Sequence, residues 1–147
     1  FHLVNQLGYS LEEVNTMLNK KSGMLGLTGH SDMRDVKAEY QKGNKAAVLA
    51  YDLYAYHIKK YIGAFTAVLN GLDAIVFTAG VSENDALTRS LASSQLEYLG
   101  IHLDEAKNQT GGNGIYEINT TDSPVKILVV PTNEELEIAR QCATLLA

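Results

Sequence analysis

The chain has 147 residues, 46% hydrophobic and 20% charged, which predicts one soluble globular domain with enough apolar material for a sizeable core. Its net charge is −5, from 12 Lys and Arg against 17 Asp and Glu, and this argues against a nucleic-acid partner, since phosphate binding needs a basic excess or stripe. A lone cysteine, Cys142, excludes an intramolecular disulfide and a cysteine zinc site and points to a reducing compartment.

No apolar run approaches the ~20 residues of a membrane span, so no membrane partner is expected. Phe1 to Ser10 lacks the basic start and apolar centre of a signal peptide. Ser10-Leu11-Glu12-Glu13 fits a capping box, and a helix is expected over Leu11 to Leu18. Lys20 to Asp32, with Gly23, Gly26 and Gly29, reads as a loop, followed by a short helix over Arg34 to Gln41. Asn44 can cap a long helix carrying Ala47, Tyr51, Tyr54, Ile58, Ile62, Phe65 and Leu69 at spacings of three and four, with Gly71 ending it. Its tyrosines at 51, 54, 56 and 61 read as core and rim, with ligand stacking as the alternative.

Asp73 to Thr78 and Lys126 to Val130 are apolar runs that do not alternate, and both read as buried parallel strands. A helix over Glu83 to Tyr98 would make a βαβ-type connection between them. Ile115 to Asn119 reads as an edge strand, and Thr132 to Leu146 as the last helix. Two central strands do not complete an open α/β sheet, which usually has about five. Further strands are therefore expected from residues outside this sequence or from a partner chain. The start at Phe1, not Met, fits the same expectation.

Three segments carry chemistry. Phe77 to Asn84 (FTAGVSEN) is a strand, a small-residue turn and a helix start, at the strand end where α/β sheets bind ligands. Ala79 and Gly80 let the backbone approach a ligand, and Ser82 can cap the helix. The plainer reading is a tight turn that needs a glycine. No Gly-Lys-Ser/Thr follows, so this is not a Walker loop. Val130 to Glu135 (VPTNEE) is the second strand-end turn. There Thr132 and Glu135 fit a capping box, which leaves Glu134 free to serve a Mg²⁺ ion, or simply the helix dipole. In Gly29 to Asp35 (GHSDMRD), Asp32 can accept from ribose, Met33 can pack on a base and Arg34 can stack or pair a phosphate. The plainer reading there is a polar loop with Ser31 or Asp32 as a helix cap. The four histidines have no metal spacing, and the sequons at Asn108 and Asn119 read as chance matches.

Taken in order, KKSGMLGL at 20–27, SDMRD at 31–35, FTAGVSEN at 77–84 and VPTNEE at 130–135 resemble the carboxy-terminal part of the acetate kinase family over nearly the whole sequence. The resemblance implies an α/β fold: part of a ribonuclease-H-like domain of the actin, sugar-kinase and Hsp70 type, an incomplete mixed sheet flanked by helices. It implies that residues 1–147 are the carboxy-terminal part of the second such domain, with the amino-terminal domain absent. The implied activity is reversible transfer of the ATP γ-phosphoryl to acetate, giving acetyl phosphate and ADP, in a cytoplasmic, Mg²⁺-dependent homodimer. Carried over by motif, Asp32, Met33 and Arg34 would contact adenosine. Gly80, Val81, Ser82, Glu83 and Asn84 would form a second adenosine-side turn, and Glu134 would be the Mg²⁺-linked carboxylate. Ser82 stands where the family pattern has glycine. No catalytic residue of the family is found in this stretch, and acetate would bind through the absent half, so the chain alone is expected to be inactive. Propionate kinase, a non-catalytic nucleotide-binding module and a pure dimerisation element are the alternatives.

Overall fold

The computed structural model describes residues 1–146, which fall into two compact units, Phe1–Tyr54 and Ala55 onward. The first is helical: α1 (His2–Asn5), α2 (Leu11–Lys20), α3 (Gly23–Thr28), α4 (Met33–Gln41) and the start of α5 (Lys45–Leu69). The capping box is present on α2. The Ser10 backbone N–H donates to Glu13 at 2.8 Å, and the Glu13 N–H donates to the Ser10 hydroxyl at 3.2 Å. Asn44 caps α5 by accepting from the Ala46 N–H at 2.9 Å. Val36, Ala47, Ala50 and Tyr51 are buried, and the Tyr40 and Tyr51 rings meet edge-on at 5.1 Å. Such a pair adds about 0.5–1.5 kcal/mol beyond its buried area.

The stretch expected to be one loop over Lys20 to Asp32 contains α3. Its glycines do not break the helix but fit it. A Cβ on Gly26 would lie 2.9 Å from the Lys21 carbonyl oxygen, so this close approach requires glycine, and Gly29 ends the helix in the left-handed region.

The second unit is built on a three-stranded sheet of order β1-β3-β2. β1 (Ala74–Thr78) pairs in parallel with β3 (Lys126–Val130), with Ala74 opposite Lys126 and Thr78 opposite Val130. β2 (Tyr116–Glu117) is antiparallel to β3. Between β1 and β2 lie α6 (Ala79–Asn84), α7 (Ala86–Ser93), a 3-10 turn (Glu97–Leu99) and α8 (Glu105–Thr110), and α9 (Glu134–Leu146) follows β3. Ile75, Phe77, Ile127 and Val129 point into a core with Ala92, Leu96, Ile101, Ile118 and Val125, and Ile58 and Ile62 of α5 pack against it. Each fully buried Val, Ile, Leu or Phe of this core contributes roughly 1.5–3 kcal/mol by leaving water.

Two further expectations give way in this unit. The central strands are not buried on both faces: burial alternates along β1 and β3, and Val76 is 52% exposed. Their apolar runs hide this period because the open face also carries apolar side chains. The single helix expected over Glu83 to Tyr98 is divided at Asp85, whose extended backbone ends α6 and whose carboxylate caps α7 through the Leu87 N–H.

Candidate functional site

The carboxyl ends of β1 and β3 lie side by side because the strands are parallel neighbours in register. The turns leaving them are tied at two points. The Thr78 hydroxyl donates to the Val130 carbonyl at 2.8 Å. The Glu83 carboxylate accepts from the Thr132 N–H at 2.8 Å and from the Thr132 hydroxyl at 2.9 Å. The Thr132 amide, followed by the Thr132 hydroxyl and the Ala79 N–H, holds the Glu83 carboxyl below its ordinary pKa, because each donor favours the anion.

The backbone of the first turn is unusual. Ala79 sits at φ 64°, where a side chain is disfavoured, whereas Gly80 has no positive φ and a Cβ there would meet nothing within 4 Å. The turn therefore does not need its glycine for its own conformation. The need falls on Ala79, which pays it as backbone strain, and Gly80 is left as an exposed, open strip of backbone. Ser82 does not cap a helix as expected. It lies inside α6, which begins at Ala79 with no side-chain cap. The Asn84 amide donates back to the Gly80 carbonyl at 2.8 Å. α6 has only six residues, too short to act as an anion-binding dipole.

Below this turn lies a polar network that the sequence reading missed. Arg89 is 3% exposed and donates through Nη1 to the carbonyls of Ser82 and Glu83, both at 2.8 Å. Its Nε and Nη2 bond the side-chain and backbone oxygens of Asn108 at 2.7 and 3.0 Å. Asn108, fully buried, donates to the Ala86 carbonyl at 2.9 Å. Burial lowers the Arg89 pKa, against the opposing pull of Tyr116 and Asp85. Arg89 thus holds the carbonyl end of α6, the end that a helix leaves unsatisfied. Nothing local signals this, since its partner Asn108 is 19 residues away. Asn108 and Asn119, the two sequon asparagines, are both buried and hydrogen-bonded.

At the second turn the expected Thr132–Glu135 box is replaced. Thr132 is engaged by Glu83, and Asn133 caps α9 by accepting from the Leu136 N–H at 3.0 Å. Glu134 is exposed in the first turn of α9, beside Glu135 and Glu137. Among the described residues no group of three or more His, Cys, Asp or Glu could hold a metal ion. Mg²⁺ commonly takes one or two carboxylates together with phosphate oxygens and water. Among the described residues there is thus no protein-built cage for such a cation, and Glu134 offers a single exposed carboxylate.

In the first unit Asp32 caps α4, accepting from the Arg34 N–H at 2.8 Å. It also pairs with the Arg34 guanidinium at 2.5 Å. Those Arg34 bonds, side chain first, lower the Asp32 pKa from 3.8 to about 2. The capping reading of this loop is thus seen directly. Met33 is half-buried and Arg34 is largely exposed.

A profile of the acetokinase family matches residues 1–140. The chain is 53% identical over 146 residues to an acetate kinase of Flavobacterium johnsoniae, covering 99% of this chain and 37% of the relative. A crystal structure of Porphyromonas gingivalis acetate kinase matches with TM-score 0.86 and 38% identity over 99% of this chain and 37% of that one. A propionate kinase from Francisella tularensis matches with TM-score 0.84 and 40% identity over 94% of this chain and 35% of that one. The chain thus spans a little over a third of the length of these relatives, and it belongs to the acetokinase family.

Proposed function

We propose that this chain supplies the nucleotide side of an acyl-phosphate-forming kinase, as the carboxy-terminal part of its second ribonuclease-H-like domain. In the whole enzyme a carboxylate oxygen of acetate attacks the γ-phosphorus of ATP. The bond to the bridging oxygen breaks, and ADP leaves as acetyl phosphate forms; the reverse step makes ATP. Phosphoryl transfer depends on positioning and charge stabilisation more than on covalent chemistry. The relatives named as acetate kinases support this reading.

The observation that carries it within the chain is Gly80: exposed backbone, kept free of a side chain that the fold itself would tolerate. Such a strip lets a flat adenosine moiety lie against the turn. In this reading Gly80 and Val81 pack close to the nucleotide, and Ser82, Glu83 and Asn84 shape the turn. Asp32, Met33 and Arg34 make adenosine contacts of their own. The Asp32 carboxylate must then receive ribose hydroxyls beside its Arg34 bonds, or exchange some of those bonds for them.

Glu134 would hold Mg²⁺ through water, and the cation would supply charge neutralisation to the phosphate oxygens. The Glu134 carboxylate stands where the β3 turn enters α9, so its own task is to orient hydration water at that strand end. A cytoplasmic location and a homodimer belong to the same proposal and rest on the family resemblance.

The chain by itself is expected to bind ADP or ATP but not to form acetyl phosphate, because no catalytic residue of the family is recognised in it. Calorimetric titration with each nucleotide, beside an acetyl phosphate assay, tests this. Binding without turnover is the expected result. Turnover by the 147-residue chain would overturn the inactivity claim, and an absence of binding would overturn the nucleotide role.

Two other readings keep a specific observation behind them. The similarity to a propionate kinase leaves the acceptor open to propionate. The exposed Tyr61, Phe65, Val68 and Leu69 on α5 favour an assembly role, which light scattering would show as a dimer that persists when Gly80 and Asn84 are altered.

A further inference from the structure

We infer that Glu83 is a positioning residue: its carboxylate locks the β3–α9 turn to the β1–α6 turn, and it does not itself contact the nucleotide. The clamp stands on the geometry alone, while its consequence for nucleotide binding rests on the function proposed above.

Glu83 is held at both of its ends. Its carbonyl receives Arg89 Nη1 at 2.8 Å from below. Its carboxylate receives the N–H and the hydroxyl of Thr132, 49 residues away in the sequence. Both Thr132 bonds fall on the same carboxylate oxygen, Oε1, which is thereby committed to the β3–α9 turn. Bonds to an ionised acceptor are about twice as strong as neutral ones. The strands themselves stop at Thr78 and Val130, with one hydroxyl bond between their ends. Beyond that point the Glu83–Thr132 contact fixes where Asn133 and Glu134 begin α9.

The clamp also accounts for Thr132. Its hydroxyl is directed to Glu83 and not to the α9 amides, and Asn133 takes over as the cap. The two turns would otherwise be independent loops, each free to move by the small displacements that degrade a binding geometry.

The test uses the 147-residue chain and its E83A, E83Q and T132V variants, with ADP as the probe. Amide exchange by NMR is read first, without nucleotide. E83A is expected to raise exchange at Thr132 about tenfold, the size of one lost charge-assisted bond, and E83Q, which keeps an acceptor, to restore most of the protection. Unchanged Thr132 exchange in E83A would overturn the clamp, whatever happens with ADP.

ADP titration is read second. E83A and T132V should both weaken binding, and the double variant should bind no more weakly than E83A alone, because both act through one contact. T132V keeps the Thr132 N–H bond and should weaken binding less than E83A; equal weakening by E83A and E83Q, with Thr132 protection retained in E83Q, would overturn the proposal by marking Glu83 as a direct ligand. Should the unaltered chain bind no ADP, the nucleotide reading fails, and the exchange result alone then decides the clamp.

Discussion

Asp32 and Glu83 each hold a turn with an ionised carboxylate, but one reaches two residues along the chain and the other reaches 49. Asp32 is occupied locally, by the Arg34 N–H of its own helix and by the Arg34 guanidinium at the surface. Glu83 joins two elements that meet only because β1 and β3 are paired. A local cap survives in any fold that keeps the helix, so losing it disturbs one turn. A long-range clamp exists only in the assembled sheet, so losing it changes how two turns face a ligand.

The largest effect should come from beneath the clamp. Arg89→Met leaves Asn108 and the Ser82 and Glu83 carbonyls without their donor. It should lower stability by about 2–4 kcal/mol, read by urea unfolding, since buried polar groups lose a charged partner. A loss below about 0.5 kcal/mol, the usual range of a surface change, would break the claim that this network supports the turn.

Gly80→Ala should separate binding from folding. The fold should hold or gain up to about 1 kcal/mol, as alanine favours a helix over glycine. ADP affinity should fall about tenfold, equal to about 1.4 kcal/mol. Unchanged affinity would return Gly80 to a merely tolerated position. Ala79→Gly should stabilise the chain by about 1 kcal/mol in the same unfolding assay by relieving its positive φ.

The smallest effects are those of acid. Asp32 has its pKa lowered to about 2, so its contribution is present above the ordinary carboxyl value and is lost as pH falls from about 4 through about 2. Glu83 has the same sign, its contribution fading below its ordinary carboxyl range. Carboxyl NMR titration should show Asp32 responding with Arg34 alone, whereas Glu83 should carry the Thr132 amide with it.

The same contrast governs what was legible in the sequence. The Ser10–Glu13 box, the Asn44 cap and strands β1 and β3 were readable, because each is written within a few neighbouring residues. Asp32 as a cap was readable for the same reason. The Thr132–Glu135 box had the right local spelling and failed, because a residue from another element claims Thr132. Arg89 carries no local signal and Asn108 shows only a chance sequon: a buried arginine serving helix carbonyls has no short-range pattern. α3 was lost to its glycines, which mark close approach and helix end instead of a loop. The candidate turns were found as segments, but the bond that makes them one unit was not.

In the function proposed above, the two strand-end turns together form a nucleotide-binding surface. Titrating ADP with Mg²⁺ into the isotopically labelled chain and mapping amide shifts tests it most directly. Shifts concentrated at Gly80–Asn84 and at Thr132–Glu134, rising and saturating together, are the predicted result. Shifts confined to one turn, scattered elsewhere or absent at saturating nucleotide would contradict it.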